Sequence, residues 1–195
     1  MQARTAICTA LDFETTGSVP GYRNEPWQLG LIEIHAGELA ADSAFDSLLR
    51  VGKRPFNPHA PGRHGERRME IAAAPTLTCL WPRLQPVLTG RPLVAHNAST
   101  ERRMLGDTFP MHRFGPWIDT LALARYTFPG LASYSLEQVV GHLGLTANVD
   151  ALCPGRTWHD AFYDAVAGAC LLQHVLHLPG WESVTVETLA SIRTR

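Results

Sequence analysis

Asp12 and Glu14 stand two residues apart, closing the apolar run Ala6–Phe13. If that run is a strand, its period of two sends both carboxylates to one face. They then lie at the strand's C-terminal end, where open sheets bind ligands. Crowded carboxylates raise one another's pKa unless a cation intervenes, and an all-oxygen ligand set suits Mg²⁺ or Mn²⁺. A solvated strand face would carry the same Asp-x-Glu without any such role. His159-Asp160-Ala161-Phe162-Tyr163-Asp164 is the second group. Asp160 can cap a helix reaching about His177, with Asp164 in its early turns and His159 in the loop before it. An imidazole titrating near neutrality can accept a proton from water while the carboxylate holds a metal. Equally, Asp164 could do no more than complement the helix dipole. The third group runs from Val94 to Glu101, with Asn97 as an N-cap and Glu101 as a first-turn acid. Each group, taken alone, has an ordinary structural explanation.

The elements around them suggest how three distant groups could meet. Ala6–Phe13 reads as a strand covered on both faces. Leu29, Leu31, Ile32 and Ile34 supply a second strand, and the Ala36-Gly37 turn leads to a third ending near Val51. From Lys53 to Pro75 the chain is loop-like, punctuated by Pro55, Pro58, Pro61, Gly62 and Gly65. A helix follows over Leu77–Leu88, kinked or shortened by Pro82 and Pro86. Leu93–Ala95 is a short buried strand, followed by the helix bearing Glu101. Trp117 and Ile118 form a last strand, with Asp119 capping the next helix. Ser135 and Gln138 form a capping box for another helix that stops near Gly144. Val184, Val186, Leu189 and Ile192 mark a final packed helix. Strands first and helices later predict an α/β architecture with one mixed sheet.

The bulk composition narrows the partners. The 195 residues suit one domain, 1–195, and the 45% hydrophobic and 18% charged fractions are ordinary for a soluble globular chain. A net charge of −1 lacks the basic surface of a duplex-DNA binder, so a nucleic acid would have to be held locally, with cations offsetting phosphate–carboxylate repulsion. Cys8, Cys79, Cys153 and Cys170 are far apart and form no Cys-x-x-Cys pair, which argues against a zinc site and a disulfide framework. No signal peptide or membrane-length apolar stretch is present, so a cytoplasmic location is expected, with no membrane partner.

In this order, LDFETTG, LVAHNASTE and HDAFYD resemble the three sequence blocks of the DEDDh exonucleases, the DnaQ-like branch of the RNase H-like superfamily. The likeness covers nearly the whole chain. NPHAPGRHG resembles the family's loop bearing Gly-x-His-Gly, and DTLALARYTFPG with SLEQVVGHLG resembles its middle helices. The resemblance implies an RNase H-like fold, a central mixed five-stranded sheet flanked by helices. It further implies a 3′→5′ exonuclease using two divalent cations, Mg²⁺ or Mn²⁺, held by Asp12, Glu14, Glu101 and Asp164. Asp12 would bridge both ions, Glu14 and Asp164 would complete the nucleophile-side ion, and His159 would be the general base. Thr15, Thr16, His64 and Asn97 would bind the terminal nucleotide. The implied partner is a single-stranded DNA or RNA 3′ end, and the product a nucleoside 5′-monophosphate. Nothing in the residues supports a polymerase partner or a homodimer.

The chain departs from the family pattern at Glu101, where the family carries Asp. One extra methylene moves the carboxylate by about 1.5 Å, which could weaken one Mg²⁺ site or favour Mn²⁺. Thr100 stands where an aromatic is frequent, and Asp107, six residues further along the helix, points away from Glu101. The alternative reading is a catalytically degenerate exonuclease-fold module that binds nucleic acid or a protein partner.

Overall fold

The computed structural model describes residues 1–193. Its strands are β1 (Ile7–Thr15), β2 (Pro26–His35), β3 (Glu38–Leu48), β4 (Leu93–Ala95) and β5 (Trp117–Asp119). They form one sheet in the order β3-β2-β1-β4-β5. The first three pair antiparallel, β2 and β3 through the Ala36-Gly37 turn, where both residues have positive φ, and β4 and β5 add in parallel beyond β1. The expected mixed five-stranded sheet is therefore present.

Strand periodicity divides the core in two. Cys8, Ala10, Ile32 and Ile34 face the long helix α7 (Ala161–His177), packing with its Val166, Ala167 and Cys170. Leu11, Phe13, Leu29 and Leu31 face the other way, against Leu84 and Leu88 of α2 (Trp81–Leu88) and Met104 and Leu105 of α3 (Ser99–Thr108). By the same parity Asp12 and Glu14 project to the α7 side.

Asp119 caps α4 (Thr120–Thr127) and Asp160 caps α7, each accepting two backbone N–H groups. Pro82 lies in the first turn of α2, where its missing N–H costs nothing, so that helix starts at Trp81 and not at Leu77. The structure departs from expectation at three further places. The 53–75 segment contains α1 (Arg68–Ala73): proline and glycine crowd its first half, while residues 66–74 are mostly good helix formers. Ser135 stands at the N-cap of α5 (Leu136–His142), but its hydroxyl makes no capping bond and pairs with Ser133 instead. A short helix, α6 (Thr146–Leu152), precedes α7 where none was expected. The final packed helix is α8 (Val186–Ser191), with Val186 and Leu189 buried.

One glycine sets the distance between sheet and helix. Gly30 pairs with Asp12 across β1 and β2, and a Cβ there would lie 2.2 Å from both Cα and N of Phe162. The first turn of α7 thus rests directly on the sheet beside Asp12. Gly30→Ala must push that turn away, at about 1–3 kcal/mol or more. Chemical denaturation should register this loss, accompanied by reduced activity because Asp164 moves with the helix. An unchanged midpoint would show that the close approach is not needed.

Candidate active site

A cleft of about 600 Å³ opens at the C-terminal end of β1. Asp12, Glu14, Thr15, Asn97, Glu101, His159 and Asp164 all line it. Asp12 and Glu14 come from β1 and Asp164 from the first turns of α7. Glu101 enters from the first turn of α3, on the opposite face of the sheet, and is only 3% exposed. The four carboxylates reach one cleft because β1 ends between the two helix N-termini.

Two hydrogen-bond systems hold those termini. Asp119 accepts from the backbone of Leu121 and Ala122 in α4, and also from Asn97 N (3.0 Å) and Ala98 N (3.3 Å). One carboxylate thereby caps α4 and pins the turn that launches Glu101. Asn97 is not the N-cap expected of it: Ala98 holds that position, and Asn97 takes a left-handed φ of 60°, which asparagine tolerates better than most residues. At α7, the backbone N–H of His159 donates to Asp164 Oδ2 (3.2 Å), so the histidine and the carboxylate are joined through the loop. His159 itself is exposed and has a φ of 64°.

Glu14, His159 and Asp164 each offer a ligand atom, all within 4.8 Å of one another, a group that could hold a metal ion. Among the described residues, Glu101 Oε2 and Asp164 Oδ1 are buried and have no hydrogen-bond partner. Buried carboxylate oxygens left unpaired are costly, and a hard cation is the partner that would satisfy them. The donor set therefore fits divalent metal. The electrostatics agree: burial, then the charges of Glu101 and Asp160, push Asp12 well above the usual carboxylate range. Burial and the neighbouring Asp12 push Glu14 up to about 9 and Asp164 up to about 8. Burial pushes Glu101 up to about 7, offset in part by main-chain groups of Glu101 itself and Phe13.

These shifts carry a pH dependence. A carboxyl with a raised folded pKa keeps protons that the unfolded chain has already lost above about pH 4–4.5. The contribution of these three groups to stability without metal is thus fully present below that range and is lost as pH rises through 7, 8 and 9, where Glu101, Asp164 and Glu14 ionise. A bound cation removes the repulsion but must displace those protons when pH is low. The melting-temperature gain from saturating Mn²⁺ should accordingly be small at pH 5.5 and grow towards pH 9. A gain independent of pH would dissociate metal binding from these acids.

Thr16 and His64 do not line the cleft. Thr16 is fully buried: its N–H donates to Glu25 O, and its hydroxyl donates to Asn24 Oδ1 while accepting from Glu25 N. Neither group is free for a nucleotide. His64 is buried, stacked on Phe56 at 4.9 Å and edge-on to Trp27. In the same loop Gly62 packs closely behind Glu14 and the His159 backbone. With φ of 92°, a Cβ there would lie 3.1 Å from Glu14 Oε2 and 3.3 Å from the His159 carbonyl. The lining histidines that sequence reasoning missed are His59 and His96. His59 lies in a proline-rich loop that periodicity does not govern, whereas His96 sits between Ala95 and Asn97, within the Val94–Glu101 group. His96 is held by Thr120 Oγ1 (3.0 Å) and the Tyr134 carbonyl (2.9 Å), and burial lowers its pKa.

A mixed five-stranded sheet flanked by helices, with acids gathered at the end of its central strand, defines an RNase H-like exonuclease fold. A family model described as exonuclease matches residues 9–172, and the chain belongs to that family of nucleases. It is 31% identical over 165 residues to a DNA polymerase III subunit epsilon-like protein of Rhodobacter capsulatus, a match covering 81% of this chain but only 22% of that protein. Exodeoxyribonuclease 10 of Escherichia coli K12 is 29% identical over 170 residues, covering 86% of this chain and 70% of its own. Among solved structures, exonuclease X in complex with 5′ overhanging duplex DNA superposes with a TM-score of 0.72 at 28% identity, covering 95% of this chain and 98% of that one. The nuclease domain of 3′hExo, a DEDDh family member bound to rAMP, shares the fold at 16% identity, with a TM-score of 0.70 and coverage of 94% and 98%. Among the described residues no helix is long and apolar enough to cross a membrane.

Proposed function

We propose that the protein is a 3′→5′ exonuclease that releases nucleoside 5′-monophosphates from single-stranded nucleic-acid ends. The observation that carries this reading is the convergence of Asp12, Glu14, Glu101 and Asp164 on one cleft with His159 at its edge, two of their buried oxygens unpaired. Those four acids would hold the divalent cations, Mg²⁺ or Mn²⁺. Such ions, when bound, neutralise phosphate charge and make a bound water a better nucleophile. His159 takes the proton as the water oxygen attacks phosphorus. The new O–P bond forms as the P–O3′ bond breaks, and the shortened strand leaves with its 3′-hydroxyl protonated by solvent. Thr15 and Asn97 line the same cleft and would position the terminal nucleotide, with His59 added to that set. Most of the catalysis is placement and charge neutralisation.

Glu101 favours this over a degenerate binding module. Its carboxylate is buried in the cleft wall with one oxygen unpaired, where a decayed site would be expected to fill the space or lose the charge. The test is a 5′-labelled oligonucleotide incubated with Mg²⁺ or Mn²⁺, in parallel DNA and RNA forms. Stepwise shortening from the 3′ end that stops in EDTA is expected. Full-length product under both metals would leave the degenerate reading standing.

A further inference from the structure

His159 belongs to no helix or strand, and its own backbone is in the left-handed region, as is Gly155 four residues earlier. A segment with a non-glycine residue at positive φ persists only when its surroundings hold it there. Arg156 supplies that hold from two directions. Its Nη1 donates to Asp160 Oδ1 and its Nη2 to Asp46 Oδ2, both at 2.8 Å. Asp160 is the cap of α7, and Asp46 lies on the edge strand β3, paired with Gly30. Gln28, buried on β2, closes the ring. Its Nε2 donates to Asp46 Oδ1 (3.0 Å) and Asp160 Oδ2 (3.1 Å), and its Oε1 accepts from Ala161 N (3.4 Å). The Arg156 guanidinium also lies over the Phe162 ring, 5.1 Å from its centroid.

We propose that Arg156 is a positioning residue for the general base, clamping the 156–160 segment to the sheet edge so that the His159 imidazole stays at the cleft. The inference rests on the role given to His159 above. Arginine suits the task because its planar fork reaches two carboxylates on different elements at once, whereas the lysine ammonium is a point charge on a flexible stem. The Arg156 side chain is 31% exposed, so the pairs contribute modestly to stability and the larger effect falls on turnover.

The test measures kcat and KM on a single-stranded 5′-labelled oligonucleotide with Mn²⁺. The variants are Arg156→Gln, Arg156→Lys and His159→Ala, together with the double variant Arg156→Gln/His159→Ala. Arg156→Gln should lower kcat by about 10- to 100-fold with little change in KM, since a misplaced catalytic group costs rate and not affinity. Arg156→Lys should not restore it. Once His159 is alanine, Arg156→Gln should cost nothing further, because the two act as one unit. Asp46→Asn, which cuts only the sheet-edge arm, should show the same kcat loss and the same dependence on His159, so misfolding of an Arg156 variant leaves the test intact. Equal losses with and without His159, or a loss confined to KM, would overturn the positioning role alone. An active enzyme indifferent to His159→Ala would overturn the base assignment and this inference with it.

Discussion

Replacing His159 with alanine should slow turnover by about 10²–10⁴-fold, the usual contribution of a positioned general base. The fold should survive, because the His159 side chain is exposed and it is the backbone N–H, retained in alanine, that reaches Asp164. Metal binding by the acids should be largely preserved. That combination separates a lost base from a lost site: near-normal melting and Mn²⁺ response, with turnover greatly reduced. A rate within a few-fold of the parent would mean that another group, or solvent, accepts the proton.

Asp12→Asn should have the larger effect on chemistry and the opposite effect on stability. Asp12 sits at the centre of the cluster, where its charge raises both Glu14 and Asp164. On the proposed reading, the cations would lose their central ligand without it. A metal contributes several kcal/mol to such a reaction, so activity should fall by roughly 10³-fold or more. The metal-free protein, by contrast, should melt higher at pH 8 than the parent, since a buried, mutually repelling carboxylate has become neutral. Each kcal/mol gained is worth about 2–4 °C for a chain of this size. A parent and variant that melt together in EDTA would show that the Asp12 carboxyl does not destabilise the metal-free cluster.

The scaffold of this site is largely legible in the amino-acid sequence. Strand parity puts Asp12 and Glu14 on one face, and the caps at Asp119 and Asp160 fall where short polar residues precede apolar periodicity. Long-range placement is less accessible. Gly30 carries a usable signal, since an isolated glycine inside a strand often marks close backbone approach, but only the packing of Phe162 shows what approaches. Gln28 carries none: nothing local distinguishes a buried glutamine that joins β3 to α7 from a solvated one. The loop at 57–65 misleads most. Its histidine in the Gly-x-His-Gly stretch stacks on Phe56, while His59, five residues earlier, lines the cleft. Irregular backbone obeys no period, so the direction of each side chain there is fixed only by tertiary contacts.

The most direct measurement is a Mn²⁺ titration followed by the electron paramagnetic resonance of free Mn²⁺, in the presence of a nucleoside 5′-monophosphate. Two sites per chain are expected for the parent protein, with both weakened severely in Asp12→Asn and one in Glu101→Gln. Binding that is absent in the parent, or that persists unchanged when Asp12 is neutralised, would contradict a cation centre built from these four acids.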